Sequence, residues 1–124
     1  MFKALFFIRR KPGLSHESFR AHFENVHVKL AQRHFGHLML GYQRNYPTQV
    51  IEGGQQQTPP FDCISEWFLP DRAAFDAIRA ILDDPVKGQV FRDDEVHFLD
   101  RGATRVVLCD TGDVIDTGTV LKGE

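Results

Sequence analysis

The first apolar segment of the chain, residues 2–9, constrains the fold most strongly. In a β-strand, alternate side chains point to opposite faces. Here both faces are apolar, with Phe2, Ala4, Phe6 and Ile8 on one and Leu5 and Phe7 on the other. A strand of this kind must be covered on both sides. The chain therefore needs helices on one face of its sheet and a further apolar layer on the other.

A capped amphipathic helix is predicted directly after this strand. Pro12-Gly13 marks a turn, Ser15 is a good N-cap, and the helix dipole favours Glu17 in the first turn. Apolar residues then recur at spacings of four, three and four, which predicts a buried stripe of Phe19, Phe23, Val26 and Leu30. We expect the helix to end near Gly36.

The remaining pattern completes a known supersecondary order. Three further strands are predicted at residues 38–46, 61–68 and 104–109, with one helix opening at Pro70-Asp71 and a short one within residues 86–98. The order β-α-β-β-α-β is that of the α+β ferredoxin-like fold, a four-stranded antiparallel sheet with its helices on one face. An apolar open face normally meets a partner. We therefore expect a homodimer that stacks sheet against sheet as a dimeric α/β barrel.

Two segments lie outside this pattern. Residues 48–60 are rich in Gly, Gln and Pro, so we expect either a mobile lid or a plain solvated loop. We place the domain at residues 1–110 and treat residues 111–124 as a tail, either a short extra strand or an arm.

Composition narrows the function classes. The chain has 124 residues, which suits one domain, and its net charge of −2 comes from interspersed charges, unlike a basic nucleic-acid footprint. Cys63 and Cys109 are far apart within strands and form no disulfide framework. No signal-peptide pattern and no apolar run of about 20 residues occurs. We expect a soluble cytoplasmic protein without membrane or nucleic-acid partners.

The histidines of the first helix are the candidates for proton chemistry. At about 100° per residue, His22 falls on one flank of the buried stripe, and His16, His27 and His34 fall on the other. His27, at the rim of the core, is either an acid–base group or a histidine bonded to the backbone. His34 either lines the rim of a pocket or is solvated. Because His22 and His27 are five residues apart and no HExxH occurs, we expect no metal site.

Other side chains suggest a pocket for a planar molecule. Tyr42 could donate to an oxyanion or simply fill the core. Glu66 either faces water or lines a polar pocket with Asp62, because burying it unpaired is costly. Eleven phenylalanines permit an aromatic-lined cavity, to which we assign Phe6, Phe23 and Trp67.

Three stretches of residues 2–110 resemble the EthD family of dimeric α/β-barrel proteins. The first is Arg10-Lys11-Pro12-Gly13-Leu14-Ser15 with Glu17, Phe19, His22, Val26 and His27. The second runs from Asp62 through Trp67-Phe68 into Ala73-Ala74-Phe75, and the third is Asp94-Glu95 with Phe98-Leu99-Asp100.

The resemblance implies a homodimer with a pocket between sheet and helices in each subunit. Relatives include methylmuconolactone methylisomerase and related lyases, which use neither metal nor organic cofactor, and other relatives have only an accessory role or none known. It also implies that His27 matches a functional histidine and that Tyr42 is the closest match to its partner tyrosine.

These observations predict a cofactor-independent lyase or isomerase. It would move protons on a small cyclic or aromatic substrate, by decarboxylation, dehydration, cyclisation or lactone isomerisation. His27 and Tyr42 would be catalytic, and the substrate-binding residues would be Phe6, Phe23, His34, Glu66 and Trp67. The alternatives are a non-catalytic small-molecule carrier or accessory protein and, third, a haem monooxygenase.

Overall fold

The computed structural model describes residues 1–121 and 123. The strands are β1 (Phe2–Ile8), β2 (Gly41–Asn45), β3 (Val50–Glu52), β4 (Gln55–Gln57), β5 (Cys63–Leu69) and β6 (Arg105–Cys109). The helices are α1 (His16–His22), a π-helical turn (Phe23–His27), α2 (Val28–Phe35), α3 (Arg72–Asp83) and α4 (Gln89–Glu95), with 3₁₀ turns at Gly36–Leu38 and Arg101–Ala103.

The main sheet has the predicted topology. Its strand order is β2-β5-β1-β6, and every neighbouring pair is antiparallel. Two central strands, β1 and β5, are therefore flanked by edge strands. The ferredoxin-like α+β fold is confirmed. The second strand, predicted at residues 38–46, is shorter than expected and begins only at Gly41, because a 3₁₀ turn extends to Leu38.

The two faces of the sheet differ as the alternation of β1 and β5 requires. On β5 the side chains that face the helices are buried, namely Cys63, Ser65, Trp67 and Leu69. They pack with buried phenylalanines from the helices, among them Phe19, Phe23, Phe35, Phe75, Phe91 and Phe98. The opposite face carries Leu5, Phe7, Ile64 and Phe68, which remain partly exposed. The cavity described below lies on the helix side.

The long first helix departs from the predicted periodicity at one point. Phe19 and Phe23 are buried as expected, but Val26 is 40% exposed, whereas Val28 is only 2% exposed. The cause is the π-helical turn, in which the amide of Val28 donates to the carbonyl of Phe23, five residues earlier. A π turn holds one more residue than an α turn and rotates everything that follows it. The prediction of Val26 in the buried stripe was therefore wrong.

The Gly- and Gln-rich segment is more ordered than expected. Within it, β3 and β4 pair as a hairpin whose turn is Gly53-Gly54. Both glycines have positive φ, 54° and 77°, as a two-residue type I′ turn requires. The hairpin does not line the main cavity. In the tail, residues 110–121 form no strand.

Candidate functional site

A largely apolar cavity of about 290 Å³ lies between the first helix and the sheet. The aromatic part of its lining consists of Phe6, Phe23, Phe35, Tyr42, Trp67, Phe91 and Phe98. Its other polar side chains are His27, Ser65, Glu95, Arg101 and Thr104. A concave, apolar space with a few convergent polar groups is the usual form of a small-molecule site.

Five of the seven predicted site residues line this cavity, and two do not. His27, Tyr42, Phe6, Phe23 and Trp67 all contribute to its wall. Glu66 lies on the opposite face of the sheet, because it is the strand neighbour of Trp67 and must point the other way. There its carboxylate lies 3.0 Å from Nζ of Lys3. His34 is exposed, and its ring meets Phe91 edge-on with 5.3 Å between the ring centroids.

His27 lies buried at the edge of the cavity and is hydrogen-bonded to an acidic side chain. Its Nδ1 lies 3.0 Å from Oδ2 of Asp94, so an Nδ1–H donates to that carboxylate and Nε2 keeps its lone pair. The ring packs against Phe98 and Phe23, with centroid distances of 4.7 and 5.7 Å. Burial lowers the pKa of His27, and the Asp94 carboxylate opposes this shift without cancelling it. His27 is therefore neutral at pH 7.

Asp94 is shared by two histidines. Its second oxygen, Oδ1, accepts from Nε2 of His22 at 2.7 Å, and its side chain is only 10% exposed. The expectation that His22 and His27 lie on different flanks was wrong, because five residues are close to one full turn of a π-helix. The π turn thus aligns both imidazoles on one carboxylate from α4. A regular α-helix would separate them.

The contact of Asp94 with both histidines was not predicted from the sequence. Asp94 entered the predictions only as part of the third EthD-like stretch, and 67 residues separate it from His27. The one available signal was the pair of histidines at a spacing of five. That pair becomes informative only if a π turn is assumed.

Tyr42 is a neutral hydrogen-bond donor under ordinary conditions. It lies on β2 opposite Trp67, and the two rings meet edge-on with centroids 6.3 Å apart. Burial raises the pKa of the Tyr42 hydroxyl well above its usual value. The guanidinium of Arg44 stacks over the Tyr42 ring at 4.8 Å and donates two hydrogen bonds, of 2.9 and 2.8 Å, to Glu24. The phenol is therefore held in place by packing while remaining protonated.

The described part of the chain shows neither a metal-binding cluster nor a membrane-spanning helix. No group of three or more His, Cys, Asp or Glu side chains there is arranged to hold a metal ion. No helix within residues 1–121 and 123 is long and apolar enough to cross a membrane.

Comparison with known families decides the relationship. Residues 11–102 match the EthD domain. The chain belongs to the EthD family. The EthD match covers the segment from the turn at Pro12-Gly13 to the 3₁₀ turn before β6, which includes the His27, Tyr42 and Asp94 positions.

Solved structures share the fold of this EthD chain at low identity. An EthD family protein from Bacillus halodurans has a TM-score of 0.59 at 14% identity, covering 87% of this chain and 96% of its own. A protein from Arabidopsis thaliana has a TM-score of 0.62 at 16% identity, covering 98% and 100%. A structure described as an antibiotic biosynthesis monooxygenase reaches 0.53 at 21% identity, covering 90% and 98%. No curated protein sequence matches the chain.

Proposed function

We propose that this EthD protein is a cofactor-independent lyase or isomerase that moves a proton on a small cyclic or aromatic substrate. Family membership and the cavity support the broader statement that it is a small-molecule-binding domain. The narrower proposal rests on one observation, the hydrogen bond between Nδ1 of His27 and the buried Asp94 carboxylate. A carboxylate that fixes one tautomer of a neutral imidazole is how enzymes prepare a general base.

The mechanism assigns one role to each polar side chain. Nε2 of His27 takes a proton from an acidic carbon of the bound ring, while Asp94 stabilises the imidazolium that forms. The Tyr42 hydroxyl donates a hydrogen bond to the oxygen on which the enolate or phenolate charge develops. Return of the proton to another carbon completes an isomerisation. In a decarboxylation, the proton that Nε2 takes is instead that of the substrate's carboxyl group; the C–C bond to that group then breaks, CO₂ leaves, and Nε2 returns the proton to the carbon that had carried the carboxyl group. The surrounding aromatic wall binds the planar ring and excludes water.

Deuterium exchange tests the proposal without knowledge of the substrate. The probes are 2-tetralone, a γ-butenolide and resorcinol in D₂O, with ring-proton exchange followed by NMR. We expect the wild-type protein to accelerate exchange in at least one probe, and His27→Gln to lose about 10²–10⁴-fold of that acceleration. His34→Gln is the matched control, because His34 is exposed and lies outside the cavity. Equal exchange rates for wild type and His27→Gln would contradict the mechanism.

The alternative is a carrier or accessory protein that binds the same class of molecule without reaction. The mostly apolar lining of the cavity favours binding by itself. A carrier would bind the probes and leave their exchange rates at the solvent value, and His27→Gln would then change affinity only. Binding without exchange for all three probes would favour this function.

We also propose that the protein is a cytoplasmic homodimer. The support for the dimer is the set of large apolar side chains that stay partly exposed on the open face of the sheet, Leu5, Phe7, Ile64 and Phe68. Sedimentation velocity at micromolar concentration should give the mass of two chains. A monomer that remains folded at that concentration would refute the sheet-to-sheet dimer.

A further inference from the structure

A second cavity adjoins the first at the edge of the sheet. It has a volume of about 380 Å³ and lies between α3, α4 and β6. Both cavities are lined by Phe6, Leu82, Phe91, Glu95, Arg101 and Val106. Two spaces that share this much wall are adjacent. We call the cavity beside His27 the inner chamber and the other the outer chamber.

The size of the inner chamber argues for a ligand that uses both. A dry cavity of about 150 Å³ is enough to hold benzene. Pockets for drug-sized ligands span about 300–1,000 Å³. At about 290 Å³, the inner chamber alone lies at the lower limit of that range. With the outer chamber added, the available volume falls well within the range for drug-sized ligands.

The chemistry of the outer chamber indicates what it receives. Its interior is apolar, formed by Phe75, Ile78, Leu82 and Leu108. Its charged groups are engaged with each other or with backbone. Arg79 pairs with Asp83 at 3.4 Å, and the Arg92 guanidinium donates to the carbonyl of Leu82 at 2.9 Å. The chamber therefore suits an apolar group, with charges at its rim.

An ion pair lines both chambers. Nη1 of Arg101 lies 3.5 Å from Oε2 of Glu95, and the Arg101 side chain is 76% exposed. An exposed pair of this kind stabilises the fold by at most about 1 kcal/mol. A ligand that occupies both chambers can therefore displace the largely exposed Arg101 side chain at little cost.

We propose that the ligand is elongated. A reactive ring occupies the inner chamber beside His27, and an apolar extension, an alkyl chain or a further fused ring, occupies the outer chamber. The identity of the reacting end rests on the proposed function above. The two-chamber binding does not depend on catalysis, so its test is separate from the exchange experiment.

A ligand series measures the outer chamber directly. The probes are phenol and 4-n-alkylphenols from methyl to hexyl, titrated calorimetrically into the full chain. Burial of one methylene is worth about 0.8 kcal/mol, which corresponds to about four-fold in affinity. We expect affinity to rise by about that factor per methylene over several members of the series. Leu108→Phe, which narrows the outer chamber only, should abolish the gain while leaving phenol binding unchanged.

A matched control and a second variant keep the test decisive. Leu40→Phe makes the same substitution at a residue that is 66% exposed and lines neither chamber, so it should keep the wild-type series. If Leu108→Phe fails to fold, Leu108→Ala should preserve the gain and shift the optimum to a longer chain. Affinity that does not rise with chain length, or a rise that Leu108→Phe and Leu108→Ala leave unaltered, would overturn the proposal. The proposal would also be overturned if the rise in affinity with chain length disappeared at higher protein concentration, because a second copy of the chain would then cover the outer chamber.

Discussion

Replacement of Asp94 tests the centre of the site most directly. In Asp94→Ala, His22 and His27 both lose the carboxylate to which they donate at 2.7 and 3.0 Å. Hydrogen bonds to charged groups contribute about 1.5–3 kcal/mol each to stability. With Asp94 only 10% exposed, solvent replaces these bonds poorly. We expect Asp94→Ala to lower the free energy of unfolding by about 3–5 kcal/mol, a large part of the 5–15 kcal/mol typical of a domain.

Asp94→Asn separates the charge from the shape. The amide keeps the size of the carboxylate but offers one acceptor and one donor, so the two imidazoles can no longer both donate to it. Burial still lowers the pKa of His27, whereas the opposing effect of the carboxylate is gone. The pKa of His27 should therefore fall below its wild-type value. A ¹H–¹⁵N NMR titration of the ring nitrogens reports both this pKa and the tautomer.

Asp93→Asn is the control for the neighbouring carboxylate. Asp93 is exposed and accepts from Nε2 of Gln89 at 2.6 Å, on the solvent side of α4. Its substitution should change stability by less than about 0.5 kcal/mol and leave the His27 titration unchanged. An unchanged or raised His27 pKa in folded Asp94→Asn would refute the reasoning. The reasoning would also be refuted if urea unfolding showed that Asp94→Ala lowers the free energy of unfolding by less than about 1 kcal/mol.

Three further predictions concern the support of the site. Gly88→Ala should destabilise the protein by about 1–3 kcal/mol, because a Cβ there would collide with the carbonyl oxygen of Leu82. Gly102→Ala should be nearly neutral in urea unfolding, because the nearest atom to its added Cβ is Oδ1 of Asp100 at 3.9 Å, an ordinary contact. Val28→Ala should lower the free energy of unfolding by about 1–3 kcal/mol, because Val28 is buried, and Val26→Ala should leave it almost unchanged. The reverse order would contradict the π turn. Glu24, whose pKa is lowered chiefly by its hydrogen bonds from a guanidinium, contributes stability that is present above about pH 4.3 and is lost as the pH falls through its lower folded value. Stability measured between pH 5 and 3 should therefore fall less steeply in Glu24→Gln, and an unchanged slope would contradict this assignment.

Local periodicity determined most of the fold. The alternation in β1, the Ser15 cap, which accepts from the amide of Ser18, and the strand and helix order were sufficient to predict the ferredoxin-like sheet. The helical spacing also placed His27 at the edge of the buried stripe, whereas the pocket between sheet and helices was implied by the EthD resemblance. Each of the predictions from spacing depends on neighbours within one or two turns of the chain, which the sequence displays directly.

Only tertiary structure decided how the histidines are used. A π turn is rare because its hydrogen-bond geometry is locally less favourable than that of an α-helix. The residue types at positions 23–27 do not predict that one forms there. Packing of the first helix against α4 brings both imidazoles to Asp94, a contact that spans about 70 residues of chain. The same register change exposes Val26 and buries Val28. By contrast, the exclusion of Glu66 from the cavity follows from its adjacency to Trp67 in one strand, since neighbouring strand residues point to opposite faces.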